Sequence, residues 1–266
     1  MKRIALFLLL VASSASNLAT TLAESIGVNF TATRFGGGPF PILSNESAGL
    51  MPQVNWNNSV PTGNGTTADI ASPSPGHLVN NSGVDTGAQI SWINGNAEVN
   101  TSGGNTTPNE RLYRGVAEGS FFNLPSPQLT VTVSQIPYAQ YDVYAYLAGF
   151  QFSATSSVRI GSERYYYVQS SNFTADGFVQ ATATSPQGAP LATYAVFRGL
   201  QGSSFNLEII KETGNRPGIA GLQIVRIPEP GAIFLSLLAV VGFVMRPKRS
   251  RPIAATGLNY CGCPSC

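Results

Sequence analysis

Between Glu24 and Ile227 the chain has no cysteine, a single histidine and few charges. Each shortage removes a class of chemistry. Without cysteine this stretch cannot be braced by disulfides and must fold on its apolar core, for which about 200 residues suffice. A serine- or cysteine-protease triad needs a histidine base, and the one histidine, His77, lies in Pro75-Gly76-His77, a loop setting that favours a solvated ring. The same count leaves no ordinary His/Cys transition-metal site. Nine Lys/Arg face twelve Asp/Glu in this stretch, so the +2 of the whole chain comes from its two ends. A weakly acidic region lacks the basic footprint of a nucleic-acid binder. No phosphate-cradling glycine loop occurs either, since Gly36-Gly37-Gly38 runs into Pro39 rather than a helix. Upstream of Pro228 no segment sustains a 3.6-residue apolar period, which argues against long helices.

What remains is Gly, Ser, Thr and Asn broken by short β-branched and aromatic runs. That pattern predicts an all-β fold. After Ser25 to Phe30, strands are expected at Ala88 to Ile93, Arg111 to Glu118, Leu129 to Ile136 and Tyr141 to Ala148. Further ones follow at Ser157 to Gly161, Glu163 to Gln169, Val179 to Thr184, Thr193 to Gly199, Phe205 to Lys211 and Gly221 to Ile227. Their close spacing is that of a sandwich or barrel. Within one of them Tyr141, Val143, Ala145 and Leu147 fall on one face, with Asp142, Tyr144 and Tyr146 on the other. Gly161-Ser162 reads as a II′ hairpin loop. Residues 31 to 83 and Asn94 to Asn109 are expected to be mostly loop.

The two ends carry a different signal. Met1-Lys2-Arg3, the apolar run Ile4 to Ala12 and the small residues ending Thr21-Leu22-Ala23 read as a cleavable signal peptide over 1–23, with Glu24 as the expected N-terminus and Ala15 and Ala19 as competing cleavage sites. Export through a translocon follows. At the other end Pro228-Glu229-Pro230 leads into fifteen uncharged residues, Gly231 to Met245, and then Arg246, Lys248, Arg249 and Arg251. Fifteen helical residues span roughly 22 Å, short of a ~30 Å hydrocarbon core, so the expected transmembrane helix is marginal and its basic cluster stays cytoplasmic. The triplet, apolar run and basic cluster over 228–251 resemble the PEP-CTERM sorting signal of bacterial envelope proteins. That resemblance implies an exosortase-like processing enzyme as partner, recognising Pro228, Glu229 and Pro230. A plain C-terminal anchor after a proline-containing linker has the same order of features. The chain continues past the cluster through a tail, 252–266, holding Cys261, Cys263 and Cys266; three thiols without histidine do not close a zinc shell.

Between these ends, SIGVNF, SAGLMPQVNWNNS, YDVYAYLAG and GIAGLQIVRIPEP resemble an exported bacterial β-sandwich module, distantly like galactose-binding or malectin-like jelly rolls. The resemblance implies a jelly-roll-like β-sandwich over 24–227 and no catalytic residues. The resulting expectation is a non-enzymatic binding or structural protein of the cell envelope or extracellular matrix, with extracellular polysaccharide as one partner and no cofactor. Sugar rings stack on aromatic faces while amides take the hydroxyls, which makes Trp56, Asn57, Tyr165 and Tyr167 the expected ligand contacts. Calcium in Asx loops stays open, although no loop has a dense alternating Asp pattern. Two alternatives stay open. One is a carbohydrate-active enzyme whose paired carboxylates are drawn from Asp69, Asp85, Glu98, Glu110, Glu118, Asp142, Asp176, Glu208 and Glu212. The other is a purely structural matrix protein.

Overall fold

The computed structural model describes residues 23–32, 38–58, 60–61, 70–71, 76–93, 95–99, 104–119, 127–149, 154–170, 173–214 and 216–228. By internal contacts the chain divides into Met1–Pro228 and Glu229–Cys266. The first unit is an all-β sandwich of two sheets. Its strands are β1 Ser25–Asn29, β2 Asn57–Asn58, β3 Val60–Pro61, β4 Ile70–Ala71, β5 Gln89–Ile93, β6 Gly95–Val99, β7 Gly115–Gly119, β8 Leu129–Ser134 and β9 Gln140–Leu147. They continue with β10 Thr155–Ile160, β11 Glu163–Gln169, β12 Leu191–Ala192, β13 Tyr194–Gln201, β14 Phe205–Lys211 and β15 Gly218–Arg226. Among the described residues two short helices, α1 Pro108–Leu112 and α2 Phe173–Asp176, interrupt them.

The first sheet runs β13-β9-β15-β1-β2, with β7 joining β15 beside the end of β1 and carrying β6 on its far side. The second runs β12-β11-β10-β14-β8-β5, and β3 and β4 form a separate pair. Most pairings are antiparallel; β1–β2 and β11–β12 are parallel. The β10–β11 hairpin turns on Gly161 at φ 59°, the positive φ a II′ loop needs at its first residue, and Ile160 pairs with Glu163 across it.

Period-2 alternation supplies the core between the sheets. Tyr141, Val143, Ala145 and Leu147 of β9 face Val158 of β10, Leu207 and Ile209 of β14 and Leu129, Val131 and Val133 of β8. Aromatic contacts bridge the layers: Phe30 meets Trp92 edge-on at 5.3 Å, and Tyr165 meets Phe197 at 5.5 Å. Burying several such side chains at ~1.5–3 kcal/mol each is what replaces the missing disulfides.

The other face of β9 is buried too. Tyr144 and Tyr146 pack with Val196, Val225, Ile42 and Trp56 in a second cluster on the outside of the first sheet. A strap from residue 38 to Trp56 lies over that face and is pinned by a polar network. The Tyr146 hydroxyl donates to Gln223 Oε1 and accepts from Leu50 N, while Gln223 Nε2 donates to Met51 O at 2.7 Å and Gln53 Oε1 at 2.9 Å. The strap crosses β1 at Gly27, where a Cβ would stand 2.4 Å from the Gln53 amide.

Three sequence expectations need correction. Arg111 to Glu118 is not one strand, because Thr107 caps α1 in a reciprocal box with Glu110 and Pro108 opens the helix; the strand begins only at Gly115. The Asn-rich stretch, expected to be loop, contains β6, whose backbone pairs with β7. Val179 to Thr184 forms only isolated bridges, Gln180 to Tyr194 and Tyr166 to Ala183.

Candidate ligand-binding site

The four residues expected to meet a ligand are not brought together: Trp56 and Asn57 lie at the first sheet, and Tyr165 and Tyr167 lie in the second. Trp56 is 5% exposed, donates its indole N–H to Gln53 O at 3.1 Å and packs against Tyr146. Asn57 is buried beside it, donating to Gly27 O and Val79 O and accepting from Val79 N. Trp56 belongs to the cluster outside the first sheet, and Asn57 ties β1 to the segment at Val79. Tyr165 and Tyr167 lie on the inward face of β11, in the second sheet: Tyr167 is fully buried, and Tyr165 packs against the core while donating to Glu163. That hydrogen bond to a carboxylate, aided by burial, pushes the Tyr165 phenol up to about 12. The placement has a simple cause. Alternation along β11 turns the middle tyrosine outward, so Tyr166 faces solvent with the Arg164 guanidinium 4.7 Å above its ring.

The outer face of the second sheet is a polar ladder. Arg159 on β10 stands opposite Arg164 on β11, and each finds a carboxylate on the β14 side: Arg159 pairs with Glu208, and Arg164 pairs with Glu212 while donating to Ser157 Oγ. Two like charges in register would repel; the two acids convert them into neutral pairs.

One end of this ladder opens into a cleft of about 360 Å³, near the lower bound for small-molecule sites. The cleft lies between the sheets, where the Gly161 hairpin of the second sheet meets the end of β13 in the first. Its apolar lining is Ile160, Leu200 and Phe205; its polar lining is Arg159, Glu208, Gln201, Ser204 and Asn206. Tyr141 of β9 lies beneath it, fully buried, and its hydroxyl has no hydrogen-bond partner among the described residues. Burial raises the pKa of this phenol. Arg159 gives Nε and Nη2 to Glu208 Oε2 alone. The pair therefore presents a donor and an acceptor side by side with no net charge. A sequence reading could reach Arg159 and Glu208 through the period-2 pattern of β10 and β14, but not their meeting with Tyr141, which depends on how the sheets stack.

The described carboxylates are engaged by donors. Glu118, 1% exposed, pairs with Arg216; Asp142 accepts from Arg198 and Gly199 N; Glu212 accepts from Ser157 and Arg164; Asp176 accepts from Ser170. Glu110 accepts from Thr106, Thr107 and Thr174, and these bonds, the Thr106 hydroxyl first, hold it down at about 2. Asp85 sits below its usual range through Gly87 N and also contacts His77 at 3.3 Å. Among the described residues no group of three His, Cys, Asp or Glu is placed to hold a metal ion.

Pro228 is the last described residue; Glu229, Pro230, Arg246, Lys248, Arg249, Arg251 and the tail cysteines lie outside the described residues, as does the signal peptide up to Leu22. Among the described residues no helix is long and apolar enough to cross a membrane.

No family model matches the chain, and no curated protein matches it. Solved structures with a similar arrangement include beta-glucuronidase 2 of Bacteroides uniformis bound covalently to cyclophellitol-6-carboxylate aziridine, at TM-score 0.40 and 9% identity over 77% of this chain and 18% of that one. The YxiM protein of Bacillus subtilis matches at TM-score 0.39 and 10% identity, over 76% of this chain and 40% of that one. The chain thus spans less than half the length of either protein.

Proposed function

We propose that this chain is an exported protein of the bacterial cell envelope or extracellular matrix, carrying a jelly-roll-like, non-enzymatic binding or structural sandwich sorted by a PEP-CTERM signal. The observation that carries the reading is the adjacency of the sandwich's two ends. β1 and β15 are antiparallel neighbours with Ser25 opposite Val225, and Glu24 meets Arg226 at 3.2 Å. Glu24 and Arg226, near the two ends of the described sandwich, therefore lie side by side. A module whose ends are placed in this way can lose its leader and be tethered or released without breaking either sheet. Support for the non-enzymatic reading comes from the carboxylates: those described act as ion-pair and capping acceptors, and the shifts found among them are downward, whereas a glycosidase acid needs its pKa raised.

The reading is tested by replacing Pro228, Glu229 and Pro230 together with alanine in cells that process the protein. Full-length chain should accumulate in the inner membrane. Unchanged release of the sandwich would remove the sorting assignment and leave a plain anchor.

A further inference from the structure

We propose that the bulge at Arg198–Gly199 is a guard that keeps the open edge of β13 from pairing with the same strand of a second copy of this chain, and that releasing it turns the sandwich into a strand-paired dimer. The inference stands apart from the export reading and holds whichever way that reading is decided.

β13 ends the first sheet, with eight residues and β9 on its inner side. A strand of that length at an edge offers a row of backbone donors and acceptors that a like strand can take up, so such edges are kept short, covered, charged or bent. β2 and β12, at the end of other paths, have two residues each. The start of β13 is covered instead: Tyr194 N donates to Val179 O at 3.1 Å, and Tyr194 O accepts from Ala181 N at 2.7 Å. Alternation points the N–H and C=O of Val196 the same way, away from β9, and no described strand lies beyond them.

The bulge stops the ladder there. Phe197 pairs with Val143 and Leu200 with Tyr141, so Arg198 and Gly199 together oppose Asp142 alone. Asp142 holds the irregularity in place, its Oδ1 accepting from Gly199 N at 2.8 Å and its Oδ2 from Arg198 Nη1 at 3.0 Å. Gly199 sits at φ 65°, which glycine enters without the steric cost borne by other residues. The Arg198 side chain stays 66% exposed beside the edge. Among the described residues this leaves Val196 alone to present a regular outward pair of backbone groups, too short a stretch for a second strand to dock.

The core shows how the guard can be lifted. Phe197 and Leu200 both pack on the core although they stand three positions apart, where period 2 would put them on opposite faces. The extra residue reconciles them, so a chain shorter by Gly199 keeps both inward while its edge runs straight. A second copy fits that edge because a strand pairs antiparallel with itself about a two-fold axis, the commonest symmetry of protein dimers.

The test is sedimentation equilibrium of full-length chains in detergent micelles, with amide hydrogen exchange at Val196 followed over protein concentration. The wild-type chain should exchange quickly at Val196 at every concentration. Deletion of Gly199 with Arg198→Thr should keep the melting temperature within about 5 °C and associate at least about 100-fold more tightly, with Val196 protected as it does so. Deletion of Gly199 with Arg198→Pro should return the chain to wild-type behaviour, because proline removes an outward N–H that pairing needs and a lone edge does not. Where the shortened chain fails to fold, Asp142→Ala carries the test: it releases Gly199 N and the guanidinium and should tighten association at least about fivefold. The proposal is overturned if the folded deletion with Arg198→Thr associates as weakly as the wild type, or if the deletion with Arg198→Pro associates as tightly as the one with Arg198→Thr. It is equally overturned if wild-type Val196 gains protection with concentration or, in the fallback, if Asp142→Ala leaves association unchanged.

Discussion

Replacing Trp56 with alanine should unfold the strap over the first sheet rather than silence a binding surface. The indole is 5% exposed, its N–H is committed to Gln53 O, and its ring packs on Tyr146 and against the backbone of β1 at Gly27. Loss of a buried Trp side chain costs about 3–5 kcal/mol, with the upper part favoured where the walls cannot close in. Here one wall is a paired strand, which cannot move without breaking its register with β15. For a domain of this size each kcal/mol lowers the melting temperature by about 2–4 °C, so Trp56→Ala should lower it by ~6–20 °C. Thermal melts followed by far-ultraviolet circular dichroism measure this directly. Trp56→Phe, which keeps a ring and loses the hydrogen bond, should fall between. A loss of less than about 3 °C for the alanine variant would refute the reasoning, because a core plug cannot be removed so cheaply.

Other outcomes follow from the same contacts. Glu110 is held near 2 in the folded chain against an ordinary value of 4.5, so its stabilising effect is complete above 4.5 and lost as pH falls toward 2. Glu110→Gln should therefore flatten the fall of melting temperature across that window while lowering stability at pH 7. Arg216→Ala leaves the Glu118 carboxylate buried without its guanidinium and should cost about 3–5 kcal/mol in urea unfolding; replacing both by apolar residues of similar size should cost less. A chain of Glu24 to Ile227 should melt at the same temperature with and without reductant, because it contains no cysteine, and a fall of many degrees on adding EDTA would reveal a structural cation.

Much of the sandwich was legible because it is written in period 2. Glu163–Gln169 and Phe205–Lys211 have the same bounds in the sequence reading and in the structure, and the Gly161 turn and the two faces of β9 follow the same pattern. What alternation could not reveal is what covers a face. β9 reads as half-buried, yet its Tyr144 and Tyr146 are buried under a strap with almost no regular structure, and the polar, glycine-rich sequence of that strap looks exposed. The same blindness made Trp56 and Asn57 resemble a ligand platform. The α1 helix was within reach, since Thr107-Pro108-Asn109-Glu110 carries a capping box, but a β-rich context masked it. The cleft was beyond reach, because Tyr141 and the Arg159–Glu208 pair come from different sheets and meet only through packing.

Export can be decided by the two termini of the protein isolated from the envelope of cells that make it. Intact-mass and terminal peptide analysis should find Glu24 as the first residue and a C-terminus within or next to Pro228-Glu229-Pro230, with the chain absent from the cytosol. A soluble cytosolic chain that still begins at Met1 and ends at Cys266 would contradict the proposed function.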